Sequence, residues 1–222
     1  MPILSFDTTT KVASVAVVQG TAVLCEVSLG HVQSHAARLL PVVDFALAQA
    51  NVQRPDIKQI AVGAGPGSFT GLRIGLSLAK GLAEGLAVPL VLLSTLEVLA
   101  SELSFYPGVV IPLLDAQRQE YYAAAFRSGQ GELKRLSPDM IVKRVDFTAW
   151  AHSFGSPVLL TGEAAPLPEP ATNLLVAPSF LAAPRAAVVG ILSQGRTPTD
   201  PKYALPNYIR TSSAQPKKEV QS

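Results

Sequence analysis

The sequence predicts an α/β chain of two lobes, each a mixed sheet flanked by helices. Runs of apolar residues with the period of a strand open the chain, and helical periods then alternate with further strands. Residues 111–126 repeat the strand, turn, strand pattern of residues 3–18 without a gap, at an offset of 108 positions (111 − 3). With 222 residues, 48% of them hydrophobic and 15% charged, the chain has apolar mass for one large domain or two small lobes.

Strands are predicted over 3–7, 13–18 and 22–29, joined by the Thr8-Thr9-Thr10 turn and by Gln19-Gly20 into an antiparallel meander. Leu39, Leu40, Val43, Phe45, Leu47 and Ala50 recur at helical spacings and predict a helix over 35–50. Pro41 deletes an amide donor there, so a kink or a late start is expected. A strand over 59–63, a helix from near Thr70 with Thr70 as its N-cap, a strand over 88–93 and a helix over 95–103 follow. The second lobe is completed by helices over 146–152 and 184–193 and strands over 158–161 and 174–177. This order points to two ribonuclease-H-like lobes facing across a cleft, over 1–104 and 105–196. Residues 197–222 form a C-terminal segment, a returning stretch whose polar end from Thr211 is expected to be a disordered tail.

Composition excludes several classes. Arg73, Lys80 and Glu84 interrupt the longest apolar stretch before it reaches the roughly 18 uncharged residues of a membrane span. Residues 1–18 lack a basic leader and carry Asp7 and Lys11, so no secretory signal is read and a cytoplasmic address is expected. Cys25 is the single cysteine, which removes internal disulfides and cysteine-rich zinc sites. The formal charge of +2 is too mild to define a nucleic-acid binder. From Arg185 onward, six cations (Arg185, Arg196, Lys202, Arg210, Lys217, Lys218) face two acids (Asp200, Glu219), and the sequence favours a solvated terminus over an RNA-binding one.

The glycine-rich segment Gly65, Pro66, Gly67, Ser68, Phe69, Thr70, Gly71 and Arg73 sits between a predicted strand and a predicted helix, where phosphate cradles form. It lacks the Gly-Lys-Ser/Thr of a P-loop, and Pro66 removes an amide, so a tight turn that packs the helix on the sheet is favoured over anion binding. The helix that follows is apolar around most of its circumference. It is therefore either a central core helix or one that docks a partner helix, two readings that periodicity leaves open. Asp7 and Asp115 end corresponding strands and are candidate cleft contacts, with capping of the adjacent turn the favoured role. His31 and His35 show His-x-x-x-His spacing, but His31 falls outside the predicted helix and no metal site is assigned. No nucleophile elbow is present.

Taken together, Asp7-Thr8-Thr9, His35 with Arg38-Leu39-Leu40-Pro41, the Gly65 to Gly75 block, Ser94-Thr95-Leu96, the run from Asp115 to Tyr122 and Pro206-Asn207-Tyr208-Ile209-Arg210 resemble the TsaB (YeaZ) family in the same order. The resemblance implies two lobes of the actin-like ATPase superfold without catalysis of their own. It implies a non-catalytic scaffold or activating subunit that pairs with the transferase TsaD, with TsaE in the larger complex. That complex forms N6-threonylcarbamoyladenosine next to the anticodon of tRNAs reading A-starting codons. A homodimer is expected when the chain is alone, with tRNA met indirectly and no membrane involved. No cofactor of its own is implied, with room for ATP or ADP at the interface with the partner. Its interface residues are expected to be Leu39, Leu40, Val43, Leu47, Leu72, Leu76 and Leu82. Gln117 and Gln119 depart from the Arg or Lys and the Gly common in relatives. A kinase-like enzyme of the same superfold would turn over ATP, and a metallopeptidase-like one would lose activity on chelation.

Overall fold

The computed structural model describes residues 1–30, 35–155, 157–163 and 173–209, with only the backbone of 35–37. The first sheet has the order β3-β2-β1-β4-β5. Strands β1 (Pro2–Asp7), β2 (Ala13–Gln19) and β3 (Ala22–Leu29) form the antiparallel meander, while β4 (Gln59–Gly63) and β5 (Leu90–Leu93) add parallel strands beside β1. Side-chain alternation sends the strands' residues to two cores. Leu4, Phe6, Val15, Val17, Ile60 and Val62 face helices α1 (His35–Gln49) and α2 (Phe69–Leu86). Ile3, Ala16, Val18 and Ala61 face the opposite side.

The second sheet has the order β10-β7-β6-β11-β12. Its central strand β6 (Gly108–Asp115) runs parallel to β11 (Val158–Thr161), which pairs with β12 (Leu174–Val176). The strand expected to return through Phe126 is broken. Ala124 and Ala125 divide it into β7 (Glu120–Ala123), which passes to β10 (Met140–Lys143), and β8 (Phe126–Gly129), which passes to β9 (Glu132–Arg135). Sequence periodicity did not anticipate β9 and β10, four-residue strands too short to carry a pattern.

The layers stack as α1 and α2, first sheet, α3 (Thr95–Ser101) with α5 (Ala186–Leu192), second sheet, and α4 (Arg144–His152). Val109, Ile111 and Leu113 of β6 face the α4 side, while Val110 and Leu114 meet Leu96, Leu99 and Ala100 of α3. Helix α5, expected to complete the second lobe, instead covers the first sheet. Ala186, Ala187 and Val189 join the Ile3 core, Ser5 Oγ donates to the Ala186 carbonyl at 2.7 Å, and the Ala186 amide donates to Ser14 Oγ at 2.9 Å.

Two local expectations change. Helix α1 runs through Pro41 without a late start. Ser68, not Thr70, caps α2, its hydroxyl accepting from the Gly71 amide at 3.2 Å. After α5 the chain returns to the first lobe as a strap. Thr199 bridges Leu90, Ala204 is buried in the α1–α2 core, and the Asn207 amide donates to the Ala64 carbonyl at 2.7 Å. The tail from Thr211 and the residue His31 lie outside the described residues. Among the described residues no helix is long and apolar enough to cross a membrane.

Candidate functional site

The glycine-rich segment is built to receive the β1–β2 turn. The Asp7 carboxylate accepts at Oδ1 from the Thr9 amide (2.8 Å) and the Thr9 hydroxyl (2.7 Å), which folds residues 7–9 into a tight turn. That turn presses against glycines spaced four apart. A Cβ on Gly63 would overlap Asp7 Oδ2, one on Gly67 or Gly71 would strike the carbonyl of Thr9 or Thr8, and one on Gly75 would strike the Thr8 hydroxyl. Two hydrogen bonds seal the seam, from the Ser68 amide to the Thr9 carbonyl (2.7 Å) and from the Thr8 hydroxyl to the Gly71 carbonyl (2.7 Å). Gly67, Gly71 and the Ser68 amide thus face the protein's own backbone, and the Gly71 amide is taken by Ser68 Oγ, which fits the tight-turn reading.

Asp7 is fully buried and is corrected as a cleft contact: its carboxyl faces the interior. Its Oδ2 has no hydrogen-bond partner among the described residues, and burial pushes the group up from 3.8 to about 6 despite the Thr9 bonds. Asp115 repeats the turn at the end of β6, Oδ1 accepting from the Gln117 amide at 2.8 Å, but it is exposed and paired with Arg144 at 3.2 Å. Beyond it Gln117, Arg118 and Gln119 carry φ of 60°, 53° and 62°. Three successive left-handed residues cost about 1–2 kcal/mol each, where glycine would not, so the departure at Gln119 is a strained one. Asp44 of α1 pairs with Arg54 and Glu97 of α3 with Arg196, each at 2.6 Å. Among the described residues no three His, Cys, Asp or Glu gather where they could hold a metal ion.

The expected interface residues divide by burial. Leu39, Val43, Leu47, Leu72 and Leu76 are at most 5% exposed, and all but Leu72 belong to the core under α1 and α2, so the five are corrected as surface contacts. Leu40 is 42% exposed and Leu82 half-buried. The outward faces instead present Phe45 (54% exposed) and Ala48 on α1, and Ser77, Gly81 and Gly85 on α2 beside half-buried Ile74 and Leu78. A Cβ on Gly81 or Gly85 would meet nothing within 4 Å. The sequence held the signal that separates these sets. Arg73, Ser77, Lys80 and Glu84 mark a wet stripe of α2 at helical spacing, and Leu72, Leu76, Ala79 and Ala83, each one residue earlier, form a separate stripe about 100° around the helix.

The fold and this packed seam define a two-lobed chain of the actin-like ATPase superfold, with ribonuclease-H-like sheets flanked by helices. Residues 29–192 match the family model described as TsaD, tRNA N6-adenosine threonylcarbamoyltransferase. The chain is 29% identical over 98% of its length to the tRNA threonylcarbamoyladenosine biosynthesis protein TsaB of Bacillus subtilis, covering 97% of that protein. It is 37% identical to TsaB of Escherichia coli, over 65% of this chain and 66% of that one. A Pseudomonas aeruginosa structure described as similar to peptidase YEAZ superposes with a TM-score of 0.79 at 25% identity, covering 94% of this chain and 99% of that one. The chain belongs to this family, in its TsaB (YeaZ) branch, whose members serve tRNA threonylcarbamoyladenosine biosynthesis.

Proposed function

We propose that the chain is a non-catalytic subunit of the threonylcarbamoyladenosine machinery, docking a TsaD-type transferase through the outward faces of α1 and α2. The observation that carries this reading is the composition of that face. Phe45 and Leu40 are exposed on α1, and α2 exposes the small residues Ser77, Gly81 and Gly85, over which a partner helix can approach closely. The sealed Gly63–Gly75 seam supports a packing role rather than bond making. In this reading the partner carries the chemistry on the adenosine and any ATP or ADP sits at the shared interface. TsaE joins the larger cytoplasmic complex, and two copies pair through the same face when the partner is absent.

The test uses Phe45→Glu and Ser77→Arg, both at exposed positions, in the full chain. Each is expected to weaken association with the TsaD-type partner at least about tenfold and to reduce threonylcarbamoylation of tRNA in the reconstituted system. Soluble variants that bind the partner and support modification like the wild type refute the docking role. ATP turnover by the purified chain alone refutes its non-catalytic character.

A further inference from the structure

The strap carries a feature that the docking reading leaves unused. Tyr203 is 68% exposed, Tyr208 39% and Phe69 48%, and all three lie along the flank of α2 that faces away from α1. Each is accompanied by a cation. The Arg73 guanidinium lies 3.7 Å from the centre of the Phe69 ring and its Nε donates to the Tyr208 hydroxyl at 3.3 Å, with the Phe69 and Tyr208 rings 5.4 Å apart. The Lys202 ammonium sits 5.5 Å from the Tyr203 ring, and Lys80 donates to the Ala204 carbonyl at 3.3 Å, which ties α2 to the strap between these groups. Phe126 and Tyr121, the rings of the other two cation and ring pairs among the described residues, are buried, so only this strip offers such pairs to solvent.

The cations here are not spent on ion pairs. Among the described residues Arg73, Lys80 and Lys202 form no salt bridge, whereas Arg185 and Arg196 are held by Glu26 and Glu97. The nearby acids are placed to leave the strip open: Asp200 turns back to accept from the Lys202 amide at 2.8 Å, and Asp139, across Asn207, is neutralised by Arg135 at 2.6 Å. Glu84 lies one turn beyond Lys80, at the end far from Phe69 and Tyr208. The sequence beyond the strap continues with Arg210, Lys217 and Lys218 against one acid, Glu219. Exposed rings interleaved with unpaired cations match the chemistry of unpaired nucleotides, whose bases stack on aromatic faces and whose phosphates take the charges.

We propose that the strip formed by Phe69, Arg73, Lys202, Tyr203 and Tyr208 is a direct RNA contact, taking unpaired nucleotides of the tRNA on which this family's pathway acts. The contact is separate from the α1–α2 docking face and holds the RNA without touching the base that is modified.

The test titrates the purified full-length chain into a fluorescently labelled tRNA over a series of salt concentrations. Wild-type binding is expected to weaken linearly on a log–log plot of affinity against salt. The double variant R73E/K202E is expected to bind about tenfold more weakly and to flatten that slope, and Tyr203→Ala to bind about fivefold more weakly. A charge reversal at the exposed Lys134 of β9 is expected to leave affinity unchanged, and thermal unfolding and partner binding are expected to match the wild type in all three. Absence of tRNA binding by the wild type overturns the proposal, as does equal weakening by the Lys134 variant. Loss of partner binding with RNA affinity intact assigns the strip to protein docking and overturns it too, while leaving the α1–α2 reading standing.

Discussion

At the residue scale, Asp7 shows how a polar group can be costly in place and still fix a turn. Its Oδ1 organises Thr9 with two hydrogen bonds, while its Oδ2 is buried without a partner among the described residues. Because the folded group titrates near 6 and the unfolded one near 3.8, the unfolded chain releases its proton first as pH rises. Stability is therefore fully present below the unfolded value and falls as pH climbs through the folded one, by at most about 3 kcal/mol. Glu102, pushed by burial from 4.5 to about 7 despite the nearby Arg185 charge, extends the decline in the same direction. Asp7→Asn is expected to be about 1–3 kcal/mol more stable than the wild type at pH 7.5 in urea unfolding, with the difference shrinking below pH 4. An unchanged pH profile contradicts this account. The sequence showed that Asp7 ends a strand and caps a turn, but its burial depends on α2 arriving from sixty residues away.

At the scale of elements, α2 and the loop that leads into it carry two glycine rows with opposite duties. Gly67, Gly71 and Gly75 admit the backbone and side chains of Thr8 and Thr9, whereas Gly81 and Gly85 border open space. Gly71→Ala forces a methyl group onto the Thr8 carbonyl and is expected to cost about 3 kcal/mol or more. Gly81→Ala removes backbone freedom without a clash and is expected to stabilise the chain by up to about 1 kcal/mol in the same denaturation assay. Similar effects at the two positions would contradict the division. Most strands and the course of α1 and α2 were legible because their apolar residues repeat over enough positions to set a period. Ser68 was overlooked because Thr70 is an equally good cap by composition, and only the path of the loop selects between them. The destination of α5 was illegible for a related reason, since a short apolar helix fits either sheet until Ser5 and Ser14 supply its hydrogen bonds.

At the scale of the whole molecule, the lobes share a middle layer rather than meeting at a free hinge. Leu96, Leu99 and Ala100 of α3 are buried among Val110, Leu114, Ala124 and Phe126 of the second sheet. Asp139 adds a polar clasp, accepting from Ser94 (2.6 Å) on the first lobe and Asn207 (3.3 Å) on the strap while pairing with Arg135. The lobes are expected to unfold in one calorimetric transition, with Asp139→Ala lowering stability by about 1–3 kcal/mol without splitting it. Two resolved transitions in the wild type would contradict the shared layer. The second-half repeat announced two lobes, yet not how the later chain would be divided between them. That division has a consequence during synthesis. The face of the first sheet bearing Ile3, Ala16, Val18 and Ala61 is covered in part by Val98 of α3, and the rest of its described cover is α5, whose residues leave the ribosome roughly 5–20 s after β5. The newborn amino-terminal half must therefore wait with part of that greasy surface bare, which makes it a natural client for a chaperone until translation nears its close.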